Sequence, residues 1–256
     1  MEVHHHTHHG KKKLTEYFWE FFMLFLAVTL GFLVENQREH FIEHKKEKQY
    51  IYSYIEDLRI DIYVLDSMIW RCKDRNKWAD SLTYLFDLPD RKGKGPDIYY
   101  YARNLTLNFP FFSSDRTIQQ LKNGGNLRLI SKQEVSNVMM NYDRQTRWLE
   151  NIREREEDYV RDYVRFLEQI CDARVFNMMV VPGFGFKRPG GDPQFVKNDR
   201  ATILEFIGKL HFLRSANSFL MVNYQRTIEI AKKSLDIIQK AYHVSEITPR
   251  GNALEN

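Results

Sequence analysis

Apolar positions in this chain fall into one unbroken run and three long periodic stripes. The run is Leu14 to Val34, LTEYFWEFFMLFLAVTLGFLV, within which Phe21 to Val34 carries no charge. As a helix rising about 1.5 Å per residue it would extend about 31 Å, against a bilayer hydrocarbon core of about 30 Å. Tyr17 and Trp19 stand where amphipathic rings line a membrane interface, beside Lys11, Lys12 and Lys13. The pattern predicts a transmembrane helix over 14–34. A buried core helix is the competing reading; it fits less well, because Phe21 to Leu33 lacks the polar stripe that a soluble helix keeps.

From Glu35 no glycine or proline occurs until Pro89, and Ile51, Ile55, Leu58, Ile62, Leu65, Ile69 and Cys72 recur at alternating spacings of four and three. That heptad seam predicts that the membrane helix runs on through 35–88 as a long packed helix standing off the bilayer. LPDRKGKGP, Leu88 to Pro96, stops it. The stretch 89–130 is aromatic and broken. It reads as a short helix, a turn at Pro110, and a second short helix capped by Ser113, Ser114 or Asp115 and closed at Gly124 and Gly125. A second stripe, Val135, Val138, Tyr142, Leu149, Ile152, Tyr159, Tyr163, Phe166 and Ile170, predicts a helix over 131–180, opened by a Ser131–Glu134 capping box and interrupted by polar Gln145 and Glu156. A Gly/Pro loop follows over 181–198. The third stripe, Ile203, Phe206, Leu210, Leu213, Leu220, Tyr224, Ala231, Ile238 and Tyr242, predicts a helix over 199–243 capped by Asn198 or Asp199. Segments 1–13 and 244–256 read as tails. The expected fold is all-α: one N-terminal transmembrane helix continuing into an elongated antiparallel helical bundle with coiled-coil-like long helices.

Composition adds limits. Setting aside tail and anchor leaves about 220 residues, enough for one domain with a sizeable core. The 38 basic and 34 acidic residues, net +4, are interleaved, as in REREEDYVRDYVR from Arg153 to Arg165. A nucleic-acid binder collects its basic residues on one face, so nucleic acid is not an expected partner. Cys72 and Cys171 belong to no CxxC pair or metal-ligand spacing and read as apolar helix residues; in an oxidising compartment they would be the pair available for a single bridge. The apolar run ends without a small-x-small cleavage pattern, so an uncleaved signal anchor is expected. Lys11 to Lys13 lie closer to the span than Arg38, Lys45, Lys46 and Lys48, which places the N-terminus in the cytoplasm and the C-terminal domain in an exported compartment.

Candidate chemistry is sparse. His4, His5, His6, His8 and His9 in MEVHHHTHHGKKK make an interrupted cluster, read as native sequence and not as a tag, that would ligate Zn²⁺, Ni²⁺ or Cu²⁺ adventitiously. His40 and His44, in EHFIEH, lie one helical turn apart, a spacing that can chelate zinc. The HExxH order is absent, a third ligand is missing, and solvated pairing with neighbouring carboxylates is the competing reading. Glu16 and Glu20 also lie one turn apart, Glu20 near the edge of the span where snorkelling accounts for it. His211 and His243 have no partner at motif spacing. Asn104-Leu105-Thr106 is a glycosylation sequon. With no nucleophile elbow, phosphate loop, dinucleotide fingerprint or paired-cysteine pattern, no catalytic residue and no cofactor are expected.

The run EYFWEFFMLFLAVTLGFLVENQREHFIEHKKEKQYIYSYIEDLRID, Glu16 to Asp61, preceded by MEVHHH, together with GNLRLI at Gly125 to Ile130, resembles a family of uncharacterised single-pass bacterial inner-membrane proteins. The likeness is closest over Glu16 to Asp61 and extends to Phe109 to Ile130. It implies a bacterial inner-membrane anchor carrying a helical domain, and it contributes no catalytic residue. The expectation is a membrane-anchored interaction or scaffold protein, partnered by the membrane and by a second copy or a helical protein. A ligand-binding sensor or transport accessory is the second expectation, and a hydrolase the third.

Overall fold

Among the described residues every regular element is a helix: α1 (Leu14–Asp87), α2 (Gly95–Asn104), α3 (Arg116–Asn123), a 3-10 turn (Asn126–Leu129), α4 (Gln133–Ile170), α5 (Ala173–Met179) and α6 (Arg200–Tyr242). The computed structural model describes residues 14–183 and 185–244, and among these β pairing amounts to one isolated bridge between Val180 and Phe186. The chain divides into two units, Met1–Tyr50 and Ile51–Asn256. In the first, every described residue belongs to α1. None of its apolar segment is buried within the protein, and among the described residues α1 is the helix long and apolar enough to cross a membrane.

The second unit is a bundle, and its side-chain contacts fix the chain direction of each element. Gln145 meets Thr227 and Asp162 meets Lys209, so α4 and α6 run antiparallel. Tyr54 reaches the Met139 carbonyl, Asp61 meets Tyr142 and Arg75 meets Glu156, so α1 and α4 run parallel. Parallel neighbours need a crossover, and residues 88–132 supply it. Ala102 lies at Tyr163, Phe109 under Arg71, Phe111 against Tyr224, Ser114 at Asp61, and Thr117 at Asp57, so this segment descends the bundle as α1 ascends it. The bundle is therefore antiparallel from each element to the next, with an irregular aromatic segment as its second member.

Two apolar clusters of the core flank a polar layer. Leu65, Ile69, Cys72, Phe111, Leu149, Ile152, Leu220 and Tyr224 form one; Ala79, Leu82, Tyr99, Val160, Tyr163, Phe206, Leu210 and Leu213 belong to the other. Further buried apolar residues, among them Ile51, Leu58, Leu121, Met139 and Ile238, extend the core beyond them. The seams on α1 and α6 fall where their spacing placed them. On α4 the seam shifts: Met139 and Val160 are buried, Val138 is half-buried and Tyr159 exposed.

Two local expectations are corrected. Segment 131–180 is not one helix, because α4 stops at Ile170 and α5 starts at Ala173. Tyr99 Oη accepts the Asp172 N–H at 2.9 Å, taking the donor a continuing helix would use, and Asp172 then caps α5 by accepting from the Arg174 N–H. The start of α4 is shifted from the Ser131–Glu134 box: the helix begins at Gln133, and Lys132, not Ser131, occupies the cap position. Cys72 and Cys171, read as apolar residues, are both free and buried, and they sit in different apolar clusters. At α6 the cap is Asp199, whose carboxylate accepts from the Thr202 N–H at 3.1 Å and hydroxyl at 2.6 Å.

Candidate functional site

A functional site needs polar groups that the fold itself does not use, so the buried polar groups come first. Between the two apolar clusters, Arg75 of α1, Glu156 of α4 and Asn217 of α6 converge. Arg75 Nη1 lies 2.6 Å from Glu156 Oε1 and 3.3 Å from Asn217 Oδ1, and Asn217 Nδ2 donates to the Cys72 carbonyl at 2.8 Å and to Asn76 Oδ1 at 2.7 Å. Arg75 is 6% exposed and Glu156 1%. Arg75 Nε and Nη2 and Glu156 Oε2 have no hydrogen-bond partner. Such a layer ties three helices into one register at the cost of desolvating two charges.

Farther along α1, Asp57 and Asp61 fasten the returning segment. Asp61 accepts from the Ser114 N–H and from Tyr142 Oη, both at 2.7 Å; Asp57 accepts from the Thr117 N–H and hydroxyl and pairs with Arg116 at 3.1 Å. The N-terminus of α3 is thus capped by a carboxylate from another helix, while Asp115, in the cap position, makes no capping bond. Asp143 pairs with Lys122 and Arg147. Burial pushes the Asp61 carboxyl above its ordinary value, the bonds from Ser114 and Tyr142 pull it back in part, and nearby Asp57 pushes it up again. A small enclosed recess adjoins these groups, lined by Tyr54, Asp57, Tyr142 and Asp143. Its carboxylates are occupied by N–H, O–H and cationic partners.

The Gly/Pro loop, a candidate ligand loop, is likewise fastened. Asp192 accepts from the Gly93 and Gly95 N–H groups at 2.8 and 2.9 Å, Tyr99 Oη donates to the Gln194 carbonyl, and Arg188 pairs with Asp97 at 2.5 Å and stacks over Tyr100. It closes one end of the core.

An open groove of about 640 Å³ between α4 and α6 differs from all of these. Asn141, Arg144, Gln145 and Trp148 line one wall, and Arg226, Glu229, Ile230 and Lys233 the other. Trp148 is 44% exposed. Arg144 donates to Asn141 Oδ1 at 2.7 Å, and among the described residues no carboxylate pairs with Arg144, Arg226 or Lys233. Other cations of the surface are ion-paired, as at Arg214–Asp80, Arg153–Glu157 and Lys209–Asp162. Three cations facing one carboxylate, beside an exposed indole, form a recess suited to an anionic, partly apolar ligand and poor in groups for acid–base or nucleophilic chemistry.

The residues singled out from sequence fall elsewhere. His40 and His44 are exposed on α1, and His44 Nδ1 lies 3.2 Å from Glu47 Oε2. Among the described residues no group of three or more histidine, cysteine or acidic side chains is placed to hold a metal. His4, His5, His6, His8 and His9 lie outside the described residues. His211 is exposed beside Phe212, and His243 ends α6 in a left-handed conformation. Asn104 of the sequon is buried, its amide donating to the Tyr100 carbonyl at 2.7 Å, which closes it to modification in the folded state. Sequence reading missed Arg75 and Asn217, although Asn217 stands at the vacant step between Leu213 and Leu220 and so could have been found. The groove carried no signal, since its walls are separated in sequence by about eighty residues.

Fold and groove together describe an all-α chain with, among the described residues, one helix long and apolar enough to cross a membrane and a charged cleft on its bundle. Against family models, curated proteins and solved structures, the chain matches none.

Proposed function

We propose that this chain is a non-enzymatic, single-pass scaffold of the bacterial inner membrane, whose helical bundle lies in the periplasm and docks a helical partner or a second copy. The observation that carries the reading is how the polar groups are divided. Most of those in the bundle interior are engaged in holding helices and connections together, whereas the open α4–α6 groove keeps three cations without a carboxylate partner among the described residues, beside an exposed indole. Such a surface binds without needing to transform what it binds. A membrane-length helix continuous with the first helix of the bundle is consistent with tethering such a surface to a membrane. The fastened Gly/Pro loop favours docking over a ligand-gated sensor, since a gating loop is drawn from weakly held segments. Chemical cross-linking in intact membranes should yield discrete species heavier than the monomer. Recovery of monomer alone, with no partner co-purifying, would sink the proposal.

A further inference from the structure

Resting on that docking reading, we propose that the α4–α6 groove receives an acidic amphipathic helix from a partner protein. Charge selects the chemistry. Among the described residues, Arg144, Arg226 and Lys233 face the groove without carboxylate partners, against the single carboxylate of Glu229, which leaves the groove a local excess of positive charge. Guest carboxylates one turn apart on a helix could reach Arg144 on one wall and Arg226 on the other. Trp148 and Ile230 give the same groove an apolar floor, which a small inorganic anion would leave unused and an amphipathic segment would cover. Tryptophan and arginine are also the residues that dominate binding energy at protein interfaces.

Shape selects the secondary structure. The walls are two antiparallel helices, and the seam between antiparallel helices accepts a third helix by packing ridges into grooves. Among the described residues no strand offers an edge for an extended peptide to join. The seam continues from the groove to Tyr159 and Phe212, whose rings stack at 6.3 Å with both side chains exposed. Eleven positions of α4 separate Trp148 from Tyr159, about 16 Å of helix, so a guest of four turns spans from the charged groove to the aromatic pair. A nucleic acid is disfavoured by Glu229 in the wall and by the small number of cations.

The test uses the full-length protein in its own membrane. A photoreactive benzoylphenylalanine is placed at position 148 or 229 in the groove, and at position 63 or 70 on exposed α1 as the comparison. Irradiated adducts are isolated and the cross-linked peptide is sequenced by mass spectrometry. The expected result is a discrete protein adduct at 148 and 229 whose cross-linked segment has acidic residues at helical spacing opposite an apolar stripe. In an Arg226→Glu/Lys233→Glu background, checked for an unchanged thermal melt, its yield should fall by about ten-fold or more. Arg226→Gln/Lys233→Gln should give an intermediate loss. An adduct with lipid, nucleic acid or a second copy, a basic or neutral guest segment, or a yield indifferent to charge reversal would overturn the inference. Protein adducts at 63 or 70 with none in the groove would overturn it while leaving the docking reading standing; no protein adduct at any position would remove both.

Discussion

The Arg75–Glu156 pair shows how differently one residue and two can behave. With both side chains almost wholly buried, removing Glu156 leaves a guanidinium without its counter-charge, a change that costs about 3–5 kcal/mol in comparable settings. Glu156→Ala should therefore lower the thermal midpoint of the purified protein sharply, while Arg75→Met with Glu156→Leu should recover most or all of the loss. If the double variant melts as low as the single, the layer is not held by the balance of two charges. Asp61 obeys a separate rule, because burial raises its folded pKa above the unfolded value of about 3.9. The folded state then holds the proton more tightly, so this group's stabilising contribution is complete below the unfolded value and is lost as pH rises through the folded one. Asn at this position keeps an acceptor for Ser114 and a hydrogen-bonding partner for Tyr142 but does not titrate. The midpoint of Asp61→Asn relative to the native chain should accordingly move upward between pH 4 and 7; a downward drift would contradict the assignment.

Elements were legible to different degrees, and the reasons are physical. Long seams on α1 and α6 follow from a helical period sustained without proline, on α6 through the single glycine Gly208, and Asp199 at the α6 cap is a local signal that tertiary structure left intact. The Cys171 break was hidden because it depends on Tyr99, more than seventy residues away, which accepts the Asp172 N–H. The start of α3 was placed correctly, yet its N-terminal donor at Thr117 is satisfied by Asp57 of α1, a partner that local sequence cannot name. Parallel α1 and α4 were equally hidden, since the periodicity of two stripes is the same whichever way they run. At the closed end of the core, Gly95 is required by close approach: a Cβ there would lie 2.1 Å from the Pro193 carbonyl oxygen. Gly95→Ala should force the 91–95 turn and the Asp192 loop apart, at a cost of about 1–3 kcal/mol. The measurement is protease cleavage within 185–197 at native temperature, and a cleavage rate equal to that of the native chain would show that the contact relaxes freely.

For the whole molecule, the proposed reading puts the bundle on the exported side of a membrane, and that placement can be measured. The native thiols cannot report it, since Cys72 and Cys171 are buried and burial pushes the Cys72 thiol up to about 11 and the Cys171 thiol higher still. The folded native chain should be silent toward a membrane-impermeant maleimide, and Ser215→Cys, on the exposed face of α6, should react with it in permeabilised outer-membrane preparations of otherwise intact cells. Reaction only after lysis would place the bundle in the cytoplasm and move the search for its partner there.

The contacts joining α1 to α6 link residues 134 to 145 positions apart, and α6 alone is 43 residues long. During synthesis the first helix therefore waits for the last. Until Asn217 and Leu220 arrive, the inward seams of α1 and α4 have no α6 to cover them, and a chain halted before Arg200 presents those apolar faces to chaperones and proteases. Arrival of α6 and concealment of the adhesive surface thus become a single event, so that quality control can tell a chain that carries α6 from one halted before it by whether that surface is still showing.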